Sequence, residues 1–424
     1  MKRVVTAAAV IAMAAGVAQA QKVCDVRTFG AKGDGVTKDT AAIQKAIDSC
    51  AAAKGGTVKI AGGTFLSAPL MLKSNITLDV EKGATLLGSP DHADYPKKRE
   101  FKAPGYQAFL SAEGAKHITI NGGGVIDGNG KTWWESVRGT KDAGLLGSEN
   151  TRPRGLVFDH CDGILIENVT VQNMAYWQIV PYYSNNIVIR DVKVLADPHS
   201  PNTDAIDPFS STNVLIERVL ADVGDDNIAI KSGMVNSPGP DAPTKNVVIR
   251  DCTFLHGHGL SIGSEIAGGA QNIVAENITF KGTGNGLRIK ANRDRGADVS
   301  HIVFKHVKME DVKMPILVSA YYPKAFPQGE VKTEAVGRLT PFFHDIVFDD
   351  VTATGSEEGG GIVGLPEAPI KNIVLKHVHI SSEKPMRVAY ANALFDDVTV
   401  TVAGGGEGVV KAPTATITKM GQSR

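Results

Sequence analysis

The sequence predicts an all-β chain wound as a single-stranded, right-handed parallel β-helix, with one helix capping its N-terminal end. Three observations carry this reading. A nine-residue apolar–polar pattern returns along most of the chain, its copies follow one another without reversing hairpin signals, and the strongly helical pattern stands ahead of them.

The pattern is one polar residue, three mostly apolar ones, two polar ones, and an apolar–polar–apolar end. It starts at Gly163 (GILIENVTV), Asn186 (NIVIRDVKV), Asn213 (NVLIERVLA), Asn246 (NVVIRDCTF), Asn272 (NIVAENITF), His301 (HIVFKHVKM), Asp345 (DIVFDDVTA) and Asn372 (NIVLKHVHI). Weaker copies start at Asn75 and His117. From residue 163 the intervals are 23, 27, 33, 26, 29, 44 and 27 residues, the irregular period of a stacked solenoid. A single unit cannot bury its own apolar face, so its neighbours must, and equivalent strands stack in parallel. The asparagines that open the repeats read as side-chain ladders in the turns, and the longer intervals as surface loops.

Taken in order, Met1-Lys2-Arg3, the apolar run Val4 to Val17 and Ala18-Gln19-Ala20 form a secretory signal peptide (residues 1–20) cut after Ala20. Residue 21 is Gln, which gives no site for a lipid anchor, and no later stretch has 18 consecutive apolar residues. Residues 21–424 are then expected to form one exported β-helix domain with an N-terminal cap over about 23–56. Within that cap Asp39 or Thr40 starts a helix running to about Lys54, its apolar face made by Ile43, Ala46, Ile47 and Cys50. Cys24 and Cys50 flank this unit and are expected to pair. Cys161 and Cys252 lie inside strand patterns and read as buried free thiols. No cysteine pair has zinc spacing, and no metal or cofactor is expected. Lys+Arg and Asp+Glu balance at 45 each, which gives no reason to expect nucleic acid or a membrane as partner.

A later strand can be aligned in four consecutive units on Ile206, Ile230, Ile262 and Ile289. Because side chains alternate along a strand, Asp207, Lys231, Gly263 and Lys290 are predicted in one outward column, with Ser261 and Arg288 in another. At about 4.8 Å per strand, four units span roughly 15 Å, enough for a groove several sugar rings long. Beside that strand lie Asn202-Thr203-Asp204, Gly224-Asp225-Asp226, Gly257-His258-Gly259 and Arg288-Ile289-Lys290. Three carboxylates, one histidine and two cations thus meet on one outer face. The adjacent pair Asp225-Asp226 is costly to build, since each charge opposes the other's ionisation.

In order and spacing these four groups resemble the motifs of the polygalacturonase family of inverting glycoside hydrolases. Phe29 to Gly35 with its following helix, and Asp127-Gly128-Asn129-Gly130 with Trp133-Trp134, are similar to that family too, so the resemblance covers nearly all of the mature chain. It implies a secreted or periplasmic, monomeric hydrolase of α-1,4-linked galacturonan, acting on a galacturonic-acid-containing polysaccharide or oligosaccharide. By motif position Asp225 would be the general acid, Asp204 and Asp226 the bases that hold water, and His258 the support of the acid. Arg288 and Lys290, with Asn202, would bind substrate, and Tyr321-Tyr322 resembles an aromatic position lining the family's groove. Glu265 after Ser264 is seen in many exo-acting relatives, which leans the expectation toward exo action. Asn227 departs from the pattern, since many relatives carry cysteine there.

The chemistry of these residues fits such roles. Inversion needs an acid and a base roughly 6.5–9.5 Å apart, leaving room for a water. Asp204 and Asp226 are expected to keep Asp225 protonated to higher pH, and Arg288 and Lys290 suit a uronate carboxylate. A calcium-dependent pectate lyase would draw on Arg152-Pro153-Arg154 but leaves His258 and the Arg288–Lys290 pair unexplained. A non-catalytic carbohydrate-binding β-helix, and a hydrolase of rhamnogalacturonan or xylogalacturonan, are the other readings.

Overall fold

Every repeat opens on a residue held in the left-handed backbone region. In the computed structural model, which describes residues 22–142 and 151–420, φ is 55° at Asn186, 56° at Asn213, 55° at Asn246, 57° at Asn272 and His301, 55° at Asp345 and 50° at Asn372. Asn, Asp and His tolerate this region where branched side chains do not, so the polar start of each unit is a conformational requirement. The side chains then stack: Asn246 Nδ2 donates to Asn213 Oδ1 at 3.0 Å, and Asn272 Nδ2 to Asn246 Oδ1 at 3.2 Å. The expected ladder is present.

The strands that follow pair in parallel in the register of the repeat. Ile164, Ile187, Val214, Val247, Ile273, Ile302, Ile346 and Ile373 stand in one inward column. Each contributes about 1.5–3 kcal/mol by burial. One apolar core runs from Cys24 to Ala415. The architecture is a parallel β-helix.

A second face carries the site. Its strands, in chain order, are β1 (Leu70–Met71), β2 (Leu110–Glu113), β3 (Leu156–Asp159) and β4 (Ile179–Tyr182), then β5 (Ile228–Ile230), β6 (Leu260–Gly263), β7 (Asn285–Lys290), β8 (Met314–Ser319), β9 (Gly361–Val363), β10 (Met386–Ala389) and β11 (Val409–Lys411). Between β4 and β5 the coil through Asp204 makes isolated parallel bridges, through Ile206 to Ile179 and Ile228 and through Phe209 to Tyr182 and Lys231. This corrects the predicted columns: Ile206 pairs with Ile228 rather than Ile230, a slip of two residues. Asp207 therefore joins the column of Ser261 and Arg288, while Phe209 pairs with Lys231. A two-residue slip leaves the facing unchanged, so the outward set is preserved. It is not a solvated face, however: Asp207, Lys231 and Lys290 are all buried under overlying side chains.

At the N-terminal end, helix α1 (Thr40–Ala52) buries Ile43, Ala46, Ile47 and Cys50 as the spacing predicts. Cys24 and Cys50 are joined, with Cα atoms 6.2 Å apart. Asp39 stands at the N-cap, its carbonyl accepting from Ile43 N at 3.0 Å, but its carboxylate accepts from the Lys32 and Gly33 amides at 2.7 and 2.9 Å and folds the preceding turn rather than capping the helix. A second helix, α2 (Lys131–Asp142), is an addition to the one expected. It falls in a long inter-repeat loop, where buried Trp133 stacks on His92 at 3.5 Å. Cys161 and Cys252 are free and buried, and burial pushes their thiols up to about 11 and about 12. Residues 1–20 lie outside the described residues. Among the described residues no helix is long and apolar enough to cross a membrane.

Candidate active site

The Asp204, Asp225-Asp226 and His258 groups are tied through the backbone before any side chain acts, and the Arg288–Lys290 strand pairs with Ser261 to Gly263. Gln178 N donates to Asp204 O, Ala205 N to Asp226 O, and His258 N to Asp225 O, each at 2.9 Å. Gly257, at φ 106°, makes the last contact possible, since a Cβ there would lie 2.4 Å from the Asp225 carbonyl oxygen. Asn227, the departure from the family pattern, is fully buried and satisfied. Its Nδ2 donates to the Ala221 and His256 carbonyls at 3.1 and 2.9 Å, and its Oδ1 accepts from Gly259 N at 2.9 Å. It pins the acid-pair turn to the next coil, which a cysteine could do only weakly.

Asp225 and Asp226 point into different surroundings. Asp225 Oδ1 meets His258 Nδ1 at 3.0 Å, and its Oδ2 accepts from Asn202 Nδ2 at 3.3 Å. Asn202 is held in turn by Arg152, whose guanidinium donates to Asn202 Oδ1 at 2.7 Å and to the Pro201 carbonyl at 2.6 Å. Asp226 is buried with both oxygens engaged. The Arg288 guanidinium and Ser261 Oγ, the latter at 3.0 Å, bond Oδ1, and Lys290 Nζ lies 2.7 Å from Oδ2. The two predicted substrate cations thus rest on a carboxylate.

Among the described residues the cation within 4.0 Å of Asp204 is Lys231, whose Nζ lies 3.5 Å from its Oδ2. That ammonium also lies 3.9 Å from Asp207 Oδ2, 3.3 Å from Glu265 Oε2 and 4.6 Å from the centre of the Trp177 ring. Tyr322 borders the cluster, with its ring centre 5.2 Å from Lys290 Nζ. Tyr321 does not join it; its phenol donates to the Gly364 carbonyl at 2.8 Å in a later coil.

The protonation pattern differs from the expectation that Asp225 is the carboxyl kept protonated. Burial, then the charge of Asp225, raises Asp204 to about 8, and burial with the charge of Asp204 raises Asp207 as well. Burial pushes Asp225 up most strongly, but the hydrogen bond to His258 together with the charges of His258 and Lys290 holds it below the ordinary carboxylate value. His258 is raised by the same bond. For Asp226 the burial cost is overcome by Lys290, Arg288 and Lys231, which hold it well below the usual range. The hydrogen bond between His258 and Asp225 thus favours the proton on the imidazole and the charge on the carboxylate.

Arg152, Lys231 and Trp177 take part in this geometry though no motif names them. Lys231 was legible as an outward residue by alternation from Ile230. Arg152 reaches the site from a loop two coils away, which local sequence does not encode.

A model of the glycosyl hydrolases of family 28 matches residues 50–400 of the chain. A probable polygalacturonase of Vitis vinifera is 30% identical, over 83% of this chain and 73% of its own. An endo-polygalacturonase of Pectobacterium carotovorum subsp. carotovorum is 29% identical, over 82% and 86%. Among solved structures, a hyperthermoactive exopolygalacturonase from Thermotoga maritima superposes with a TM-score of 0.75 at 26% identity, covering 92% of this chain and 91% of that one.

Proposed function

Since the chain belongs to glycosyl hydrolases family 28 and is of the polygalacturonase type, we propose that it is an exported enzyme that hydrolyses α-1,4-galacturonosyl linkages with inversion, working from a chain end. The observation that carries this reading is the meeting of Asp204, Asp225 and Asp226 with Arg288 and Lys290 on one outer face.

Arg288 and Lys290 receive the uronate carboxylate, which shares them with Asp226. The added negative charge raises the proton affinity of Asp225, and the proton held on His258 Nδ1, 3.0 Å away, passes to Asp225 Oδ1. Asp225 then protonates the glycosidic oxygen as the bond to the anomeric carbon breaks. A water held by Asp204 and Asp226 adds to the opposite face of the sugar, and its proton goes to the carboxylate base. Asn202 orients Asp225 and faces the substrate, and Tyr322 offers an aromatic wall beside the cations. Calcium fits this donor set poorly, because an ion on Asp226 would lie against the Arg288 guanidinium and the Lys290 ammonium.

Action from a chain end is supported by a hairpin over the groove. Strands Lys97–Glu100 and Ala103–Tyr106 pair antiparallel, and Phe101 between them packs on Tyr182, Phe209 and Trp177 with ring centres 4.1, 5.5 and 6.0 Å away. The Arg154 guanidinium lies 3.9 Å above the Phe101 ring and pairs with Glu100 at 3.4 Å. This plug covers the outward face of β3 and β4, on the N-terminal side of the acids. Export is supported by the Cys24–Cys50 bridge, which persists in oxidising compartments.

Brief digestion of a long, unbranched galacturonan is expected to release one small product from the outset while the polymer shortens slowly. A ladder of intermediate oligomers at low conversion would contradict end-wise attack. No release of reducing ends would contradict the substrate assignment.

A further inference from the structure

The two carboxylates assigned to hold water have separate cationic supports, and only one of them, Arg288 with Lys290, lines a surface cleft, beside Ser319 and Tyr322. Asp226 shares Arg288 and Lys290 with the incoming uronate. Asp204 relies on Lys231, whose side chain is 4% exposed and sits beneath Trp177. Among the described residues Lys231 is the one cation within 4.0 Å of Asp204 or Asp207. Neither oxygen of Asp207, nor Asp204 Oδ1, has a hydrogen-bond partner.

From this arrangement, and resting on the hydrolase reading above, we infer that Lys231 is a positioning residue: a buried counter-ion, unreachable by substrate, that keeps Asp204 able to ionise while the uronate draws on Arg288 and Lys290.

The local sequence builds this device. Along Ile228-Ala229-Ile230-Lys231 the isoleucines face the core, so Lys231 faces outward beside the acids. Gly263, level with Lys231 and Lys290, has φ 110°, and a Cβ there would lie 1.9 Å from the Lys290 carbonyl oxygen, so no side chain stands between the two ammonium groups. Three carboxylates then compete for one cation. Asp207, fully buried with no donor among the described residues, is pushed by burial and by the charge of Asp204 toward its neutral form. Glu265 takes the one hydrogen bond from Lys231, at 3.3 Å, and also has Ser264 Oγ at 2.9 Å and Arg295 at 3.8 Å. Burial opposes the charge on Glu265, but Lys231, Lys290 and the Ser264 bond hold it down at about 2. The rest of the charge on Lys231 falls to Asp204. Asp225 and Asp226 oppose ionisation of Asp204 from the next coil, and Lys290 favours it from three coils on. Arg152 and Tyr176 face it from the preceding coils.

The test pairs substitutions of opposite charge. The acid limb of kcat/KM against pH reports the base, so Lys231→Met should move that limb upward by about one pH unit or more, a tenfold loss on its acid side. Glu265→Gln removes a competitor for Lys231 and should move the limb downward, while Lys231→Arg should leave it near wild type. A purely structural role lowers the rate at every pH and leaves the limb in place; an unmoved limb, or the same direction in both variants, overturns the inference. If Lys231→Met does not fold, the shift in Glu265→Gln decides. Carbon-13 titration of Asp-labelled protein, with Asp204 assigned by Asp204→Asn, reads the same shifts without substrate. It decides the point even if galacturonan proves not to be cleaved, in which case the substrate assignment alone has failed.

Discussion

Asp225→Asn is expected to cut kcat on galacturonan by about 10²–10⁴-fold while KM changes little, because the amide keeps the shape of the side chain and cannot give up the proton. The same substitution removes the partner of His258. Asp225 is lowered in the folded protein, so its share of the pair's stability is present above the ordinary aspartate value and is lost as pH falls through its folded value. His258 is raised, so its share is present below the ordinary histidine value and is lost as pH rises through its folded value. Loss of the pair should therefore show in thermal unfolding mainly between about pH 4 and 6.5. Comparable melting of variant and wild type once pH has risen through the raised folded value of His258, with activity still absent, separates the catalytic effect from the structural one. A variant that retains most of its turnover would remove Asp225 from the acid role.

Asp226→Ala carries the largest expected cost to the fold. The side chains of Asp226, Arg288 and Lys290 are 1%, 11% and 7% exposed, so truncation leaves two buried cations facing each other. Removing one partner from a buried charge network costs about 3–5 kcal/mol. Asp226→Asn keeps an acceptor for one of the two cations, with its amide nitrogen turned to the other, and should cost less than truncation. Because Asp226 is held below the usual carboxylate range, its stabilising contribution is present above the ordinary aspartate value and persists as pH falls until its lowered folded value is reached. Denaturant unfolding at pH 5 and pH 7 should give the same deficit for Asp226→Ala. A deficit within about 0.5 kcal/mol, the level of an ordinary surface substitution, would contradict the burial argument.

Much of the fold was legible because the repeat is itself the stacking rule. The start of each unit had to be Asn, Asp, His or Gly for its left-handed backbone, and the apolar positions after it had to fill one column. The candidate site was legible wherever a motif carries its own register, as in Asp225-Asp226, Gly257-His258-Gly259 and Arg288-Ile289-Lys290. It was not legible where the register depends on tertiary contacts. The coil through Asp204 makes single bridges rather than a continuous ladder, so its strand pattern could not fix the pairing of Ile206, and Asp207 was placed one pair out of register. The protonation pattern escaped for a related reason. Adjacency of Asp225 and Asp226 suggested mutual repulsion, but their charges are set by His258 on one side and by Arg288 and Lys290 on the other. The removal of Tyr321 from the site depends on a hydrogen bond to Gly364, one coil further along the solenoid.

The central claim is that this face hydrolyses a galacturonosyl bond with inversion, using the proton shared by His258 and Asp225. Proton NMR of the anomeric signals during the first minutes of cleavage tests it most directly. The account predicts that each new reducing end arises as the β anomer and drifts to the equilibrium mixture, and that Asp225→Asn gives no such signal. New ends arising as the α anomer, or an unsaturated sugar in their place, would contradict it.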